Sequence, residues 1–121
     1  RGQDGAGVAN IKLDNQPGKR YISRARSNSQ NPIQEVFAKI NNRFIELQKT
    51  NPEKLKDPEW LKENMPFTGE LFLGHVRYGT FGKNSIETVH PFLRQNNWKT
   101  RNLALAGNFN LTNVDELFDL L

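Results

Sequence analysis

Cysteine is absent from the 121 residues. No disulfide and no thiolate metal site can form within them, and they hold no thiol nucleophile. Histidine is nearly as scarce, with His75 and His90 alone, and their spacing suits no metal site. No metal and no cofactor is therefore expected in this domain. No apolar run approaches the roughly 20 residues of a membrane-spanning helix, and no signal-peptide pattern opens the sequence. These absences point to a cytoplasmic protein that meets no membrane. Acid is the minority charge, with 13 Asp and Glu against 17 Lys and Arg, a net charge of +4. The basic residues are spread out, except for a patch at Lys19, Arg20, Arg24 and Arg26. No aromatic interleaving or reader motif accompanies that patch, so no nucleic-acid partner is expected.

What is present suits one globular domain or part of one, with 36% hydrophobic and 25% charged residues. Its densest stretch is Gly74-His75-Val76-Arg77-Tyr78-Gly79-Thr80-Phe81-Gly82. Leu71-Phe72-Leu73 leads into it and reads as a buried strand. An arginine at the mouth of such a strand needs an answering anion. The planar guanidinium suits the carboxylate of a small acidic substrate, and equally a structural Asp or Glu. The stretch is no phosphate loop, since Thr80-Phe81 stands where Lys-Ser/Thr would be needed.

Upstream, Arg1-Gly2-Gln3-Asp4-Gly5-Ala6-Gly7 has the density of a functional loop. Val8–Leu13 then alternates as a strand, Asp14-Asn15-Gln16-Pro17-Gly18 has turn chemistry, and Tyr21–Arg26 returns as the partner strand of a hairpin. Asn31, Pro32 and Gln34 resemble a capped helix start. Ile33, Val36, Phe37, Ile40, Phe44 and Leu47 continue it as one apolar stripe that should cover a sheet. Residues 48–68 read as a surface excursion holding a short helix capped by Asp57, with Pro58 at its first position. Further on, His90 reads as a hydrogen-bonded loop residue. Leu103-Ala104-Leu105-Ala106 reads as a strand buried on both faces that runs into Gly107-Asn108-Phe109-Asn110. Asparagines there either cap a turn or offer amide donors to a developing oxyanion. Asn113 then opens a last helix.

Three motifs stand in order: Arg1-Gly2-Gln3-Asp4-Gly5-Ala6-Gly7, Gly74-His75-Val76-Arg77-Tyr78-Gly79-Thr80 and Gly107-Asn108-Phe109-Asn110-Leu111-Thr112-Asn113. Together they resemble the class II glutamine amidotransferase domain. The resemblance implies an α+β fold, the αββα sandwich of N-terminal-nucleophile hydrolases. Residues 1–121 would be part of one glutaminase domain, incomplete at both ends. It implies glutamine as substrate, cleaved to glutamate and ammonia by a processed N-terminal cysteine lying upstream of Arg1. Without that cysteine these residues alone should be inactive. By the same resemblance Arg77 would hold the glutamine α-carboxylate, with Tyr78 and Thr80 shaping the pocket. Arg1 and the backbone of Gly2 would flank the nucleophile. The Asn108 side chain and the Phe109 N–H would hold the oxyanion.

The implied partner is a phosphoribosyltransferase domain of the same chain, which would use the ammonia on phosphoribosylpyrophosphate in purine synthesis, in a homo-oligomer. A sibling with another ammonia acceptor, or a non-catalytic regulatory domain of the same fold, are the alternatives. Five positions depart from the family pattern. Gly107 replaces a histidine, Phe109 a glycine, Val76 a threonine, Gly79 a serine and His90 a glutamine. A positive φ at Phe109 would be strained.

Overall fold

A computed structural model describes residues 4–79, 84–109 and 112–120. Strand β1 (Gly5–Ile11) is its centre, flanked by β2 (Ile22–Ser27) and β3 (Leu71–Arg77) in one antiparallel sheet of order β2-β1-β3. β1 and β2 form the expected hairpin, each displaced slightly from its expected bounds. The connection uses positive φ at Asp14 (51°) and Gly18 (81°), a conformation that asparagine-like side chains tolerate and glycine adopts freely. Gly7 lies opposite Arg26 on one side and His75 on the other, and Gly5 lies opposite Arg77. Because side chains alternate along a strand, one face carries Ala6, Val8, Asn10, Phe72 and Val76. The other carries Gly5, Gly7, Arg24, Arg26, His75 and Arg77.

Helix α1 (Pro32–Thr50) covers part of the first face. Its anchor is Val36, 1% exposed, a burial worth about 2 kcal/mol. Asn31 precedes the helix as expected, yet its side chain makes no capping bond. Another contact fixes the start. The Glu35 carboxylate accepts the Ser27 hydroxyl at 2.6 Å and pairs with Lys39 at 2.8 Å, tying the first turn to the end of β2. The Lys39 ammonium, with the Ser27 and Ser29 hydroxyls, pulls Glu35 down to about 2.

The helix lies over β1 and β2, and β3 is the outer strand of the described sheet. Leu71 and Phe72 are more than half exposed, so the expected buried strand is an edge strand instead. Ile33 and Phe37 on α1 face a shallow groove beside Gly74 and Val76, and both are exposed.

Residues 86–92 cross the opposite face. Gly7 permits this, since a Cβ there would lie 1.9 Å from the His90 carbonyl oxygen. Arg26 donates to the Val89 carbonyl at 2.9 Å and Arg24 to that of Pro91 at 3.3 Å. Half of the expected basic patch is therefore a pair of internal clamps. Val89 is fully buried beneath them. The segment continues into β4 (Phe92–Arg94), which pairs antiparallel with β5 (Leu103–Leu105). Leu103 and Leu105 are exposed, so β5 is not buried on both faces. Among the described residues its one partner is the three-residue β4.

Between α1 and β3 the chain passes through a 3-10 turn (Pro52–Lys56) and helix α2 (Pro58–Asn64). Asp57 caps α2 by accepting the Trp60 N–H at 3.0 Å. A short helix α3 (Val114–Asp119) ends the described chain. No described helix is long and apolar enough to cross a membrane.

Asn10 joins this connection to the sheet. It is fully buried, donates to the carbonyls of Gly69 at 2.9 Å and Leu71 at 3.1 Å, and accepts the Gly69 N–H at 2.7 Å. Replacing it strands those backbone groups in the interior. Asn10→Ala is expected to destabilise the fold by about 3 kcal/mol, read as a lower urea midpoint. A loss below about 0.5 kcal/mol would show that water replaces the side chain.

Candidate functional site

The β1–β3 register brings the first two motifs together at one end of the sheet. Beyond the last paired residues the Gly79 N–H donates to the Asp4 carboxylate at 2.7 Å, extending the contact past Gly5 and Arg77. A Cβ at Gly79 would stand 3.1 Å from that carboxylate, so a side chain there would press on it. Arg77, half-buried, donates from Nη1 to the Thr88 hydroxyl at 2.6 Å. Thr88 in turn donates to the Ser85 carbonyl at 2.8 Å. The guanidinium is thus oriented in part by a neutral hydroxyl.

The third motif is joined through a stack of rings. His75 shares a face with Arg77 and stacks on His90, with centroids 4.4 Å apart and planes 21° apart. His90 also packs against Phe92 at 4.2 Å and Phe109 at 5.8 Å. The Gly107 N–H donates to His90 Nδ1 at 3.1 Å. Gly107 is required here, since a Cβ would lie 2.3 Å from the Phe109 ring. The strain expected of a positive φ at Phe109 does not arise: among the described residues, positive φ outside glycine occurs at Asp14 and Phe67.

The bond from Gly107 needs Nδ1 as an acceptor, which the neutral imidazole provides and the imidazolium does not. Burial, then the nearby His75 and Arg77, push the His90 pKa below its ordinary value, in agreement with that assignment. His75 Nδ1 is buried with no hydrogen-bond partner.

Of the residues singled out from the sequence, Arg77 lies at this end of the sheet and Phe109 packs against the ring stack. Tyr78, Asn108 and Phe109 are exposed. Arg1, Gly2 and Thr80 lie outside the described residues, as does Asn110 of the third motif. His75 and His90 were missed as a pair. The one sequence signal was indirect: Gly7 has no side chain and lets another segment of the chain approach, but its pairing with His75 shows only in the structure.

Two proteins named amidophosphoribosyltransferase are similar to this chain. That of Lacticaseibacillus casei is 32% identical over 117 residues, 97% of this chain and 44% of that protein. That of Methanocaldococcus jannaschii is 41% identical over 49 residues, 40% of this chain and 10% of that protein. The chain therefore spans less than half the length of the curated relatives it matches. No protein-family model matches it, and no solved structure matches it significantly.

The depressed pKa of His90 has a consequence for stability. A histidine with a lowered folded-state value contributes stability that is present above its unfolded value of about 6.5. That contribution is lost as pH falls through the folded value, because the unfolded chain binds the proton more readily. An NMR titration is expected to place His90 below its ordinary value, and urea midpoints to fall as the solution is acidified. His90→Gln keeps an acceptor for the Gly107 N–H and is expected to flatten that decline. A His90 that titrates at or above about 6.5 contradicts the assignment.

Proposed function

We propose that these residues form part of the glutaminase domain of a class II amidotransferase. It hydrolyses glutamine to glutamate and ammonia for transfer to phosphoribosylpyrophosphate in purine synthesis. One observation carries the reading. The three motifs, far apart in sequence, meet around His90 and the end of β3. The relatives named amidophosphoribosyltransferase support the same reading. A helix layer, a sheet and a second sheet reached through residues 86–92 are consistent with three layers of an αββα sandwich.

In this reading Arg77 receives the glutamine α-carboxylate. Tyr78 and Thr80 complete the wall of the pocket. A cysteine outside these residues supplies the nucleophile, with Arg1 and Gly2 beside it. Its thiolate adds to the side-chain amide carbon and its α-amino group carries the proton. The Asn108 side chain and the Phe109 N–H stabilise the oxyanion as it forms. Ammonia then leaves for the acceptor domain, and water releases glutamate. The covalent route depends on that external thiol, while the residues here bind, orient and stabilise charge.

Kinetics of glutamine hydrolysis by the full-length protein separate these roles. Arg77→Ala removes a charge-assisted contact made in both ground and transition states. It is expected to raise the KM for glutamine by about 100-fold with a smaller change in kcat. Asn108→Ala removes a contact made as charge develops and is expected to lower kcat by about 100-fold or more. Unchanged kinetics in both variants would remove these residues from the site.

A further inference from the structure

A cavity among the described residues lies away from this site. It measures about 650 Å³ and sits between the β1–β2 turn and the β4–β5 connection. That volume is within the range of about 300–1,000 Å³ usual for small-molecule sites. Lys19, Arg20 and Lys99 line it, and among its described lining residues none is Asp or Glu. Six of its thirteen lining residues are Asn or Gln. Three cations gathered in a concave surface without a counter-charge create a field that favours an anion. Carboxamides offer paired donors and acceptors, which suit hydroxyl groups.

The two walls are braced against each other. Tyr21 donates from its hydroxyl to the Lys99 carbonyl at 2.8 Å, and the Asn102 side-chain amide donates to that same hydroxyl. The Asn102 side-chain Oδ1 accepts the Asn96 N–H. The Lys99 ammonium lies 5.4 Å from the Tyr21 ring centroid, which holds it near the cavity. Arg20 is anchored through Nε to the Ile22 carbonyl at 3.0 Å. The frame is therefore built before any ligand arrives, which lowers the ordering cost of binding.

We propose that this cavity binds a small phosphorylated, hydroxyl-rich compound of the sugar-phosphate class. Lys19, Arg20 and Lys99 take the phosphate, and the side-chain amides of Gln16, Gln95 and Asn97 take the hydroxyls. The site is independent of the glutaminase reading. It also gives a role to the Asp14–Arg20 turn, which the proposed chemistry leaves unused. A concave, braced pocket of this size fits a small molecule better than a strand of nucleic acid, which binds extended grooves with stacking platforms.

Calorimetric titration of the full-length protein with glucose 6-phosphate, glucose and inorganic phosphate tests the proposal. Glucose 6-phosphate is expected to bind at least about tenfold more tightly than glucose or phosphate. The double variant Lys19→Gln with Lys99→Gln is expected to weaken that binding at least about tenfold. Its melting temperature and glutamine hydrolysis should stay unchanged, so failure here is distinct from failure of the glutaminase reading. Three results would overturn the proposal. One is no saturable binding of glucose 6-phosphate below about 10 mM. Another is binding that the double variant leaves intact. The third is a short RNA that binds more tightly than the sugar phosphate and loses affinity in the same variant.

Discussion

The close approach of residues 88–91 to the bare face of β1 is the constraint on which the site depends. Gly5 and Gly7 leave that face without side chains at two successive inward positions. The His90 carbonyl occupies the space a Cβ at Gly7 would need, and Val89 occupies that beside Gly5. Arg24 and Arg26, projecting from the neighbouring strand, hold the segment through its carbonyls. Close contact of backbone on backbone sets where His90 sits. His90 in turn sets where Gly107 and Phe109 sit.

The same arrangement explains the electrostatics at this end of the sheet. Arg77 is oriented by Thr88, a residue of the segment that crosses the face. It also lies near His90, together with His75, and helps to keep that imidazole neutral. A neutral His90 can accept the Gly107 N–H, which ties the third motif to the second. Charge, register and packing agree at one place, as a fold with a single well-defined native state requires.

Much of this was legible in the sequence, and the failures have a common cause. The hairpin, the α1 helix and the Asp57 cap follow from local chemistry and are present, whereas of the α1 stripe Val36 is buried and Ile33 and Phe37 stay exposed. Exposure does not follow from local chemistry. Leu71-Phe72-Leu73 and Leu103-Ala104-Leu105 have the composition of buried strands, but burial is decided by what lies beside a strand, and among the described residues both lie at sheet edges. The patch at Lys19, Arg20, Arg24 and Arg26 divides for a similar reason. Alternation turns Arg24 and Arg26 inward onto residues 88–91, while Lys19 and Arg20 stay with the turn and line its cavity. The three motifs were readable as a set, whereas the His75–His90 stack required knowing that Gly7 pairs with His75 and makes room for the second ring.

The central claim is that this scaffold positions a thiol which the 121 residues do not contain. N-terminal sequencing of the mature full-length protein, with its intact mass, addresses that claim most directly. The account predicts cysteine as the first residue, with a mass increase confined to it after treatment with a glutamine-analogue alkylator. Any other first residue, or alkylation elsewhere, would contradict the account and leave a fold that binds without cleaving.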